Sequence, residues 1–127
     1  MSEIVLIQVP AVPEFVATIR AVTRSTCALA DLAADDVEEL QIAVDEAATL
    51  LLPLVDRGGH GRLETRFTIG DTSLGVTLSV ECVPGSVVDR SGMAWIMLTG
   101  LDPDVAIRTV GPETSITIER RRADVRQ

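Results

Sequence analysis

Between Asp35 and Leu51 the chain carries apolar residues in two helical rows at once, and that double pattern limits the folds open to it. Val37, Leu40, Val44, Ala47, Ala48 and Leu51 make the main stripe, at the three- and four-residue steps of a helix with one buried face. Ile42, Glu46 and Leu50 make a second row at four-residue spacing on the opposite side. A helix lying on a surface would be polar there. This one is therefore expected to be covered on two faces, with a carboxylate set between two aliphatic residues. Asp35 and Glu38 have capping-box spacing, and acids at Asp35, Asp36, Glu38 and Glu39 suit the positive end of the helix dipole. Pro53 and the Arg57-Gly58-Gly59 run end the helix.

Shorter patterns surround it. Glu3 to Val9 alternates as a first strand through Ile4, Leu6 and Val9. Pro10 and Pro13 bracket the turn into a first helix, whose stripe is Phe15, Ile19, Val22, Thr26 and Leu29. Arg20 and Arg24 stand four apart on its outer face. Strands follow at Arg62 to Ile69 and Ser73 to Val83, joined by a Gly70-Asp71 turn. A third helix runs from Gly92 to Leu101, and strands at Val105 to Val110 and Ser115 to Arg120 flank a Gly111-Pro112 turn. The order β-α-α-β-β-α-β-β, with helices grouped against a mainly antiparallel sheet, is a two-layer α+β sandwich.

The 127 residues are expected to form one domain, 1–127. Hydrophobic residues at 46% and charged residues at 24% are globular proportions. No apolar run approaches the roughly 18 residues of a membrane span, and the start lacks the pattern of a signal peptide. A cytoplasmic protein is expected. A net charge of −8 repels phosphates, and two Phe, one Trp and no Tyr leave little for base stacking. Direct nucleic-acid binding is not expected; a basic partner suits the charge better. All eleven cations are Arg, which weakens any single Arg as a functional signal. Cys27 and Cys82 lie in apolar surroundings without CxxC spacing and read as reduced core thiols. His60 stands alone in a Gly-rich loop, and no metal site is expected.

The stretch Glu39-Leu40-Gln41-Ile42-Ala43-Val44-Asp45-Glu46-Ala47-Ala48-Thr49 resembles the first ATP-site helix of the RsbW-type anti-sigma factors, members of the Bergerat-fold (GHKL) ATPase superfamily. The run Trp95-Ile96-Met97-Leu98-Thr99-Gly100-Leu101-Asp102-Pro103-Asp104-Val105 resembles the family's last helix and its exit into a strand, nearest the actinobacterial UsfX-like branch. The resemblance implies a histidine-kinase/HSP90 ATPase-like fold. It also implies a homodimer that holds a sigma factor inactive and releases it when an anti-anti-sigma factor competes for an overlapping surface. Many such proteins phosphorylate that antagonist on serine with ATP and magnesium.

Measured against the family's boxes, the nucleotide site is degenerate. Glu46 matches the family's Glu, but Leu50 stands where an Asn ligates magnesium, and a hydrocarbon offers a hard cation no oxygen. Where the family has Asp-x-Gly-x-Gly, Glu81-Cys82-Val83-Pro84-Gly85 keeps one Gly and lengthens the acid. Gly92-Met93-Ala94-Trp95 keeps one Gly of the phosphate-packing Gly-x-Gly-Leu. Only Ser86 to Ser91 separate Gly85 from Gly92, a short lid. The vestigial nucleotide set is thus Glu46, Leu50, Glu81, Gly85 and Gly92. No kinase activity and no required cofactor are expected; an active ATP-dependent serine kinase using Glu46 is the alternative.

Glu46 is otherwise a surface or hydrogen-bonded carboxylate, Trp95 a core residue, and Arg120, Arg121 and Arg122 a solvated end. For partner binding the resemblance points to Arg20 and Arg24, since Arg pairs with carboxylates at interfaces. The plain alternative pairs Arg20 with Glu14 or water.

Overall fold

Strand hydrogen bonding organises the molecule. The computed structural model describes residues 2–122, and the rest of the expected 1–127 domain lies outside them. β1 (Glu3–Pro10), β2 (Arg62–Ile69), β3 (Ser73–Glu81), β4 (Ala106–Val110) and β5 (Glu113–Arg121) form one sheet in the order β1-β2-β3-β5-β4, and every neighbouring pair is antiparallel. α1 (Val16–Leu29), α2 (Ala34–Leu51) and α3 (Met93–Leu101) complete the fold, with short 3-10 turns at Pro13–Phe15 and Leu52–Leu54. Among the described residues this is a mixed α/β fold of three helices and a five-stranded sheet.

The core lies between these layers. Alternate strand residues, Leu63 and Phe67 on β2, Leu74, Val76 and Leu78 on β3, and Ile116 and Ile118 on β5, meet Ile19 of α1, Leu40, Val44 and Leu51 of α2, and Leu98 of α3. The opposite sheet face is short and polar at its centre, where Thr77 and Thr117 share a hydrogen bond of 2.9 Å. Cys27 and Cys82 are buried and free. Burial pushes the Cys27 thiol up to about 11, against the pull of Arg24.

Several local expectations are corrected. On β1 it is Val5, Ile7 and Val9 that turn inward, while Ile4 and Leu6 are exposed on the far face. The strand is apolar on both sides, so alternation alone did not choose its face. On α1 the buried set is Ile19, Thr23, Thr26 and Cys27, and Leu29 at the helix end is exposed. The Asp35–Glu38 capping box does not form: α2 starts at Ala34 with no side-chain cap. Asp36 instead turns inward and is buried beside Arg120. The solvated end is corrected too. Arg120 is largely buried, and Arg122 donates to the Asp71 carbonyl at 3.1 Å.

Candidate functional site

α2 lies between α1 and α3, and its seam with α3 carries a cavity. Arg120 bonds the Leu101 carbonyl at 2.6 Å and the Glu39 carboxylate at 2.9 Å, with Asp36 at 3.5 Å. The end of α3 is thereby held near the start of α2. At the other end Gly92, Met93 and Ala94 share a cavity of about 360 Å³ with Thr49, Leu50, Pro53 and Leu54. The two helices therefore run antiparallel. Val87 and Asp89, from the segment leading into α3, complete the wall.

The second row of α2 is covered only in part. Leu50 is buried and lines the cavity, Glu46 is half-buried one turn earlier, and Ile42 is exposed. The expectation of a helix covered along both faces holds at its C-terminal end alone, because α3 is half the length of α2. Burial, and then the neighbouring Asp45 carboxylate, hold the Glu46 carboxyl above the usual carboxylate value. The Ser91 hydroxyl and N–H bond Asp89 and hold it below that value.

The five residues of the degenerate nucleotide set are not gathered at one point. Leu50 and Gly92 line the cavity, and Glu46 precedes Leu50 by one turn of α2 without lining it. Gly85 sits in a turn beyond β3 with φ +82, a conformation that favours glycine. Glu81 points elsewhere, its carboxylate against Gly59, where a Cβ would collide with it. Among the described residues lining the cavity, only Asp89 and Thr49 carry side-chain oxygens, and the rest are aliphatic, Met or Gly. Among the described residues no three His, Cys, Asp or Glu side chains gather to hold a metal ion. A hard cation and a triphosphate need several oxygens and backbone donors; this lining suits an apolar group.

Arg20 and Arg24 share the outer face of α1, and both reach across to α2. Arg20 Nε donates to the two Asp45 oxygens at 3.2 and 3.1 Å, and Nη2 lies 3.0 Å from Oδ2. Glu14 is not its partner in these bonds. Arg24 donates to Gln41 Oε1 at 3.3 Å, and Gln41 donates to the Arg20 carbonyl at 3.4 Å. Trp95 is half-buried, with the Arg90 guanidinium 5.0 Å from its ring centre, so it is neither fully core nor a free platform.

Asp45, Thr49, Val87, Asp89 and the Asp36–Arg120 pair were missed from sequence. Asp45 was legible in principle, since it lies beside Glu46 on a helix facing α1. Arg120 is 84 positions from Asp36, and nothing local marks that pair.

No protein-family model matches the chain, and no curated protein matches it. Among solved structures it is similar to the RsbU and RsbW domains of Rv1364c from Mycobacterium tuberculosis, with a TM-score of 0.70 at 16% identity. That match covers 94% of this chain and 32% of the other, so the chain spans about a third of that protein's resolved length. At this identity the likeness is one of fold.

Proposed function

We propose that this protein is an anti-sigma factor of the RsbW kind, built on the Bergerat scaffold and acting by occlusion rather than by catalysis. The observation that carries this is the place of the motif helix. Glu39 to Thr49 lies in α2, beside the cavity, in a fold similar to a structure that includes an RsbW domain. The position that would carry a magnesium ligand is Leu50, buried in an aliphatic wall. ATP and magnesium are accordingly left out of the mechanism.

Binding is assigned to the exposed face of α1, with Arg20 and Arg24 as anchors. Asp45 already holds Arg20, yet an exposed ion pair of this kind is worth only about 0–1 kcal/mol. A partner carboxylate competes with it at little cost. The sigma factor and its antagonist would share this surface, so release follows their concentrations and relative affinities. The net charge of −8 favours fast association with a basic partner surface. A homodimer is part of the same proposal. The sheet face away from the helices, with Ile4 at 56% and Leu6 at 48% exposure, is the surface a second copy would cover. No helix among the described residues is long and apolar enough to cross a membrane, and buried free cysteines suit the reducing cytoplasm assigned here.

One observation favours the kinase alternative: Glu46 is a half-buried carboxylate with a raised proton affinity beside a cavity, as a general base would be. The test covers both. Purified chain is mixed with purified candidate sigma factors, and complex formation is followed by gel filtration at low and moderate salt. A 1:1 or 2:1 complex weakened at least tenfold by Arg20→Ala is expected, and its absence with every candidate overturns the proposal. Labelled phosphate transfer from ATP to an antagonist, lost in Glu46→Ala, would establish the enzyme instead.

A further inference from the structure

We propose that the seam between α2 and α3 is a second docking surface, which receives a basic amphipathic helix of the partner protein. The proposal rests on the partner-binding function above and adds a site to it. α3 is apolar on every side, yet Leu98 is its only fully buried residue. Met93 is 69% exposed, Ile96 59% and Met97 41%, and Val87 beside them is 79% exposed. Met93 lines the cavity, and Met97 follows one turn later on the same flank of α3. The cavity floor continues their surface with Leu50 and Leu54. Exposed apolar groups this close together mark an interaction site, and methionines adapt to partner shapes.

Charge identifies the occupant. Glu46 stands on α2 one turn before Leu50, clear of the ion pairs that engage Asp45 and Glu39. Asp89 stands at the far end of the cavity. The nearby cation, Arg90, is laid on the Trp95 ring. An apolar floor between acidic edges fits a helix with Leu-like side chains on one face and Arg or Lys along its margins. Phosphate-bearing ligands are repelled by the same edges. α3 has nine residues, about 13 Å, so two to three turns of a docked helix fill the seam. The site is separate from Arg20 and Arg24, which lie across α2 on the α1 side.

Trp95 is the sole tryptophan and Tyr is absent, so intrinsic emission reports on α3 alone. The full chain is titrated with a synthetic 14-residue amphipathic peptide of Leu and Arg, and with its Leu and Glu counterpart. Saturable change in Trp95 emission is expected with the Arg peptide, and at least tenfold weaker binding of the Glu peptide. Met93→Ser/Met97→Ser is expected to weaken the Arg peptide at least tenfold, and Glu46→Gln about twofold with a shallower salt dependence. No saturable response, equal binding of the two peptides, or full affinity in the double Met variant overturns the proposal. A sigma factor captured equally by wild type and the double Met variant overturns the seam while leaving the anti-sigma function intact. The expected peptide pattern without capture of any sigma factor upholds the seam and removes that function.

Discussion

The two seams that flank α2 are finished in opposite ways. Toward α1, polar side chains close the surface: Arg20 on Asp45, Arg24 on Gln41, and Gln41 back to the Arg20 carbonyl. Polarity persists at depth on that side, where Thr23 and Thr26 bond the Ile19 and Val22 carbonyls and Thr65 lies beneath on β2. Toward α3, Arg120 clasps one end, and the other end opens into an aliphatic cavity. A seam closed by exposed ion pairs offers a partner an exchange of polar contacts and little apolar burial. One that leaves Val87, Met93 and Met97 to water gains by being covered.

The contrast makes graded predictions. The largest concerns the clasp. Arg120→Ala withdraws a guanidinium from the buried Asp36 and frees the end of α3; a loss of about 3 kcal/mol is expected in urea denaturation. A loss below about 1 kcal/mol would mean that the α3 seam is held by apolar packing alone. Next is Leu50→Asn, which puts an amide into the aliphatic wall. A destabilisation of about 2 kcal/mol is expected, and an unchanged midpoint would show that the cavity is wet.

On the α1 side the effects shrink and one reverses sign. The Thr65 hydroxyl is buried without a hydrogen-bond partner. Thr65→Val removes that orphan at nearly constant volume and should raise stability by about 1 kcal/mol; a loss would reveal a bound water. Arg20→Ala breaks an exposed pair, so thermal stability should move by no more than about 0.5 kcal/mol, while partner affinity falls at least tenfold. Unequal behaviour of this kind separates a binding residue from a structural one.

The smallest effect lies at Glu46. Its folded proton affinity is raised by burial and by Asp45. The folded state thus holds this proton to higher pH than the unfolded chain does. Its contribution is most favourable below the ordinary Glu value and is lost as pH rises through the raised folded one. Glu46→Gln should therefore leave acid stability unchanged and raise stability at neutral pH by roughly 0.5 kcal/mol or less. Equal melting curves across that window would place Glu46 in full solvent.

Much of the scaffold was legible in residue patterns. Arg62 to Ile69 is a strand with the boundaries its alternation indicates, and the helix beginning at Gly92 starts one residue later, with Gly92 as its cap. These signals are local: turn chemistry and apolar period act over a few residues. Site residues were harder. Leu50 announced an aliphatic wall because its neighbours define a helix row, but Glu81, expected at the nucleotide set from the resemblance, turns its carboxylate toward Gly59. Backbone position is encoded nearby; side-chain direction at a strand end depends on which loop packs there.

Sequence alone determined the succession of strands and helices, the acidic charge, and the leucine at position 50, since each is a property of single residues or of short-range period. Tertiary structure decided which cation closes on which carboxylate and which side of α3 is left to water. A helix apolar all round carries no record of its own buried face, and partners 25 or 84 positions apart meet only when the sheet brings their elements together.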